Sequence, residues 1–101
     1  MSAGVLSPQA RRDLLQAARW IAKDNPIAAR AFRESVAMAA RRMGGHPQIG
    51  VLKPGLAAPT IRFLPLAGLP HIIVYDAARR PPLILRVLHT ARDLPELLRD
   101  L

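Results

Sequence analysis

Three features of the sequence predict an α+β domain. Apolar residues recur at helical spacing through roughly the first 45 residues, a proline- and glycine-rich break runs from His46 to Pro59, and β-branched or alternating runs fill the stretch that follows. Helices first and strands after, in a chain of 101 residues, give a single domain. It consists of an N-terminal antiparallel helical hairpin packed on a small, mainly antiparallel sheet of three to four strands, with a short C-terminal helix.

Ser7-Pro8 starts the first helix, because serine caps and proline fits the first helical position. Ala10, Leu14, Ala17, Ala18, Ile21 and Ala22 then line one face, while arginines and polar residues fill much of the rest. Asn25-Pro26 repeats the same start signal, and the second helix carries Ile27, Ala28, Ala31, Phe32, Ser35, Val36, Ala39 and Met43 as its apolar stripe before Gly44-Gly45 ends it. So short a turn between them makes the helices antiparallel neighbours. Trp20 reads as core rather than as a docking site on the outer face, since large rings usually bury most of their area.

His46 to Pro59 holds three prolines and two glycines and reads as a loop of the length that often binds something, with Lys53 a solvated surface residue within it. Thr60–Leu66 alternates partially, His71–Asp76 is β-branched enough for a central strand, and the run from Leu83 to His89 is a third. Short links make these a meander, and Val5-Leu6 is a candidate edge strand. Asp93 and Glu96 stand at capping-box spacing for a terminal helix over Asp93–Leu101.

The charge is the most unusual total. Thirteen Arg and two Lys against seven acids give a formal +8, which favours an anionic partner such as nucleic acid, an acidic protein surface or a membrane leaflet. Four aromatic residues in the whole chain are too few for a single-strand stacking platform. Without cysteine, thiolate metal sites and cysteine nucleophiles are excluded, and His46, His71 and His89 lack ligand spacing, so neither metal nor cofactor is expected. With no signal-like N-terminus and no spanning run, the sequence reads as that of a cytoplasmic protein with no membrane partner.

Five segments, in order and nearly spanning the chain, resemble the RelE/ParE superfamily of toxin–antitoxin toxins. They are Leu6-Ser7-Pro8, His46-Pro47-Gln48-Ile49-Gly50, Arg62-Phe63-Leu64-Pro65, His71-Ile72-Ile73-Val74-Tyr75, and Arg86-Val87-Leu88-His89 with Arg92-Asp93. The last is more similar to the ParE branch, whose characterised members poison DNA gyrase, than to the RelE branch, which cuts messenger RNA on the ribosome. The resemblance implies a toxin that is more readily non-enzymatic than enzymatic. It further implies a cognate antitoxin wrapping an extended, often acidic C-terminal segment around the hairpin and sheet, in a hetero-oligomer such as 2:2. Nucleic acid would then be met only through the target or the antitoxin. Partner contacts are expected at Trp20 and Phe32, and at the basic residues Arg79, Arg80, Arg86 and Arg92, with Arg99 a further exposed cation.

Two alternatives remain open at this point: a ribosome-dependent endoribonuclease, and an inactive toxin fold kept for autoregulation with its antitoxin. Metal-free RNA cleavage needs a base, an acid and phosphate-binding cations. The inventory for it is Arg62, Arg86 and His89, with Lys53 and Tyr75 more distant candidates. On an alternating strand Arg86 and His89 have opposite parity, so they converge only if the strand twists or ends early. The reading adopted leaves Arg86 exposed for a partner and His89 as the strand-end hinge of a basic corner.

Overall fold

In a computed structural model that describes residues 2–95, Ser7 and Asn25 start the two helices as their chemistry requires. The Ser7 hydroxyl accepts the Ala10 N–H at 3.0 Å and opens α1 (Pro8–Ala22); the Asn25 side chain accepts the Ala28 N–H at 3.0 Å and opens α2 (Pro26–Gly45). The strands are β1 (Val5–Leu6), β2 (Val51–Leu52), β3 (Ile61–Pro65), β4 (His71–Asp76) and β5 (Leu83–His89). The architecture is α+β, with the helical hairpin against one face of a mixed sheet ordered β1-β5-β4-β3-β2.

The sheet has five strands where three to four were expected. β2 emerges from the proline-rich loop and pairs antiparallel with β3, and β1 pairs parallel with β5 through Val5 to Leu83 and Leu6 to Ile84. Val5-Leu6 is thus the edge strand expected of it, whereas β2, two residues inside the loop, is too short to show a period and the pattern of the sequence does not reveal it. The central meander follows its expected course: β3 and β4 pair antiparallel, as do β4 and β5.

Alternation along β4 divides the interior. Ile73 and Tyr75 face the helices and join Phe32, Val36, Ala39 and Met43 of α2 with Ala10 and Ala18 of α1. Ile72 and Val74 face the other way and join Phe63 and Leu88 in a second cluster, roofed by Ala57, Ile61 and Leu94. Both faces of the sheet are thus covered, the second by loop residues, and β4 is buried almost throughout.

Three expectations change. Ile27 is 81% exposed, because two residues of helix turn it about 200° from Ala29, which is buried. Trp20 is 61% exposed and lies outside the core, whereas Phe32, expected beside a partner, is wholly buried. The terminal helix over Asp93–Leu101, and Arg99 with it, falls almost entirely outside the described residues.

Candidate functional site

Strand β5 controls the most structured part of the surface. β1 covers only its first two residues, so the remaining edge faces α1, and unpaired backbone groups there need partners. Ser7, at the junction of β1 and α1, donates its N–H to the Ile84 carbonyl at 2.8 Å and its hydroxyl to the Leu85 carbonyl at 3.0 Å. Asp13 then accepts the Val87 N–H at 3.0 Å, and Asp93 accepts the His89 N–H at 2.8 Å. Two carboxylates therefore continue the work that β1 leaves unfinished.

Asp13 also binds Arg86, whose Nε and Nη2 donate to its two oxygens at 2.8 and 3.2 Å. From Arg86 to His89 the strand alternates as expected, and the irregularity lies just before it. Val74 pairs with Arg86 but Tyr75 with Ile84, leaving Leu85 as an extra, bulged residue. Arg86 is tied to α1 with its side chain a third exposed, and the hydrogen bonds to Asp13 hold its guanidinium more firmly protonated than usual.

Between α1 and the end of β5 runs a groove of about 850 Å3. Its α1 wall follows one helical face through Arg12, Gln16, Arg19, Trp20 and Lys23, with Gln9 at its start, a length on the order of 20 Å. Lys23 lies 5.1 Å and Arg92 6.0 Å from the centre of the Trp20 ring, so the exposed indole is flanked by two cations. Five basic side chains line the groove against Asp13 and Asp93, and both acids are already engaged on β5. The unspent charge is positive.

The groove ends on a histidine pair. His71 and His89 are cross-strand neighbours with ring centroids 5.3 Å apart, edge to face. The Nδ1 of His89 accepts the N–H groups of Ala91 and Arg92, each at 3.2 Å, so the neutral ring carries its proton on Nε2. His71 is buried, stacked at 4.6 Å on Phe32. Burial holds it below the ordinary imidazole range, and the neighbouring His89 and Arg92 push the same way while Asp93 opposes.

The nuclease inventory is not brought together. Arg62 lines a separate cleft beside His46 and Arg80, where its Nη1 donates to the carbonyls of Gly50 at 2.8 Å and Gln48 at 3.2 Å. Tyr75 is buried, donating its hydroxyl to the Pro47 carbonyl at 2.7 Å and accepting the Gly50 N–H at 2.9 Å. Gly50 must be glycine there, since a Cβ would stand 2.8 Å from the Tyr75 ring. Lys53 lies over Phe63, 5.7 Å from its centre, on the far face. His89, with its lone pair already used, has none left to take a proton from a hydroxyl.

Arg79 and Arg80 are exposed on the β4–β5 turn, at the opposite end of these strands from His71 and His89. They hold the turn itself: Arg79 lies 3.8 Å from Asp76, and Arg80 donates to the Ala77 and Arg79 carbonyls at 2.7 and 3.0 Å. The residues expected at partner surfaces thus lie in two places, Trp20 with Arg92 at the groove and Arg79 with Arg80 at the far corner. Sequence reasoning missed Asp13 and His71. The signal for Asp13 was its standing as the one acid in α1; His71 gave none beyond its place at the head of a buried strand.

Among the described residues no helix is long and apolar enough to cross a membrane, and no group of three potential metal ligands occurs. A search of curated proteins returns no match. The family profile of the ParE toxin of type II toxin–antitoxin systems, parDE, matches residues 5–94, from β1 through the histidine pair to the turn that carries Arg92 and Asp93. The chain belongs to the ParE toxin family of type II toxin–antitoxin systems.

Proposed function

We propose that this ParE-family toxin acts in the cytoplasm by binding DNA gyrase, or another type II topoisomerase, and is neutralised by an antitoxin whose extended acidic segment lies in the α1–β5 groove. The groove carries the reading. It is long enough for about six extended residues, it places an exposed tryptophan between two cations, and its acids are already committed to the strand edge. An acidic, partly apolar segment fits that surface by charge and by covering the indole. The Arg79–Arg80 corner stays free for the target while the groove is filled, and the complex is expected as a 2:2 assembly.

Action by binding, without chemistry on a substrate, is supported by the separation of Arg62 from Arg86 and His89 and by the occupied lone pair of His89. Expression in a bacterial host tests this. Filamentation with a DNA-damage response is the expected outcome, with stabilisation of cleaved DNA by purified gyrase. Rapid translation arrest would instead support the endoribonuclease, and absence of any growth defect the inactive autoregulatory fold. For the antitoxin, the protein encoded by the adjacent gene is expected to co-elute with the toxin at low micromolar concentration; separate elution contradicts the pairing.

A further inference from the structure

His71 is 5% exposed, and its Nδ1 has no hydrogen-bond partner among the described residues. A buried polar atom without a partner is uncommon enough to need a reason. This one lies where the groove ends, in a ring that lines it. The groups around the ring are His89 from β5, Arg92 and Asp93 from the following turn, and Asp13, Arg19 and Lys23 on the α1 wall, with Arg86 bound to Asp13. From α2 comes the uncharged ring of Phe32. His71 is therefore neutral in the free protein at neutral pH, disfavoured as a cation by burial and by the cations beside it.

Two donors line the same end. His89 presents Nε2–H, because its Nδ1 is fixed as an acceptor by two backbone N–H groups. The Arg92 guanidinium is exposed and has no carboxylate partner among the described residues. Asp93, the nearest acid in sequence, is held on the His89 backbone at both its N–H and its carboxylate, 2.8 Å each. What the corner lacks is an anion.

We infer that this end of the groove is a socket for one carboxylate, an aspartate or glutamate side chain of the partner segment, which enters beside Trp20, accepts from His89 Nε2–H and Arg92, and brings a proton onto His71 as it binds. The inference rests on the reading that the groove seats the antitoxin segment. A carboxylate beside an imidazole favours its charged form and reverses the effect of burial. The bound state then holds one more proton than the free state, and affinity rises as pH falls through the imidazole range, by at most tenfold per pH unit for a single proton.

Trp20 is the only tryptophan in the chain and reports its own occupancy by fluorescence. The full chain is titrated at pH 8 and pH 6 with an acetylated hexaglutamate peptide, with hexaglutamine, and with inorganic phosphate. Hexaglutamate is expected to saturate the signal and to bind about five-fold more tightly or better at pH 6. In His71→Gln that gain is lost; if this variant fails to fold, His89→Gln is expected to weaken hexaglutamate without weakening a hexaglutamine control. Saturable binding with equal affinity at both pH values, or the same gain in His71→Gln, overturns the socket while leaving the groove as the seat. No response to hexaglutamate at either pH overturns the groove reading itself. Phosphate binding as tightly as the peptide overturns the carboxylate assignment in favour of a free oxyanion.

Discussion

Asp13 and Arg86, 73 residues apart in sequence, form a two-pronged ion pair in which one carboxylate oxygen also accepts the backbone N–H of Val87. The aspartate thus serves a charge and a strand edge together. The arginine serves only the charge, and its side chain is a third exposed while that of Asp13 is nearly buried.

This asymmetry orders the two substitutions. Asp13→Ala strips Val87 of its acceptor and leaves Arg86 half-buried without a counter-charge, at an expected cost of about 2–4 kcal/mol. Arg86→Met leaves Asp13 still bonded to Val87 but nearly buried without its counter-charge, at an expected cost of about 1–3 kcal/mol. Urea unfolding of both variants checks the order; equal losses would mean the Val87 bond contributes nothing.

The two aromatic residues expected at a partner surface separate in the same way. Phe32→Ala empties the centre of the core and is expected to lose about 3–5 kcal/mol. Trp20→Ala touches an exposed ring and is expected to stay within about 0.5 kcal/mol of the parent while weakening capture of the antitoxin. Melting curves with co-elution of the adjacent gene product give both readouts.

Tyr75→Phe removes a hydroxyl that joins β4 to the Pro47–Gly50 loop in both directions. A loss of about 1–3 kcal/mol is expected, with faster hydrogen exchange at the Gly50 amide. Unchanged exchange at Gly50 would mean the Arg62 contacts alone hold the loop.

His71 sets an acid limit on the fold. Its proton affinity is lowered in the native state, so the unfolded chain takes up a proton first as pH falls past the ordinary value of 6.5. Above that value its contribution is full and flat; below it, stability falls until the native ring is protonated too. Melting temperatures at pH 7.5, 6.5 and 5.5 are expected to decline, and His71→Gln to flatten the first part of the decline. An identical decline in the variant would assign it to other groups.

The sequence carried most of this fold because most of it is written in local periods and caps. Ser7-Pro8, Asn25-Pro26 and the β-branched run from His71 to Asp76 each specify their own conformation. What stayed illegible depends on distant partners. Val51-Leu52 becomes a strand only because β3 lies beside it. Leu85 becomes a bulge only in the register set by β4. Trp20 looked like core because its size argues for burial, but burial is decided by what covers it, and the ring stays 61% exposed with the cations of Lys23 and Arg92 near it. The chemistry of the histidine pair was half visible: His89 was readable as a strand-end residue bonded to backbone, whereas the register that puts His71 beside it was not.

The order β1-β5-β4-β3-β2 has a consequence for how each copy of the toxin comes into being. Strands β2, β3 and β4 can pair as they are synthesised, but α1 and β1, made first, have their sheet partner only once Leu83–His89 has been added. Helix α1 waits for a strand translated some sixty residues later, on the order of seconds at ordinary elongation rates. Until then the β5 wall of the groove is missing. A chain interrupted before β5 lacks Arg86, His89 and the turn that carries Arg92 and Asp93, and with them that side of the groove.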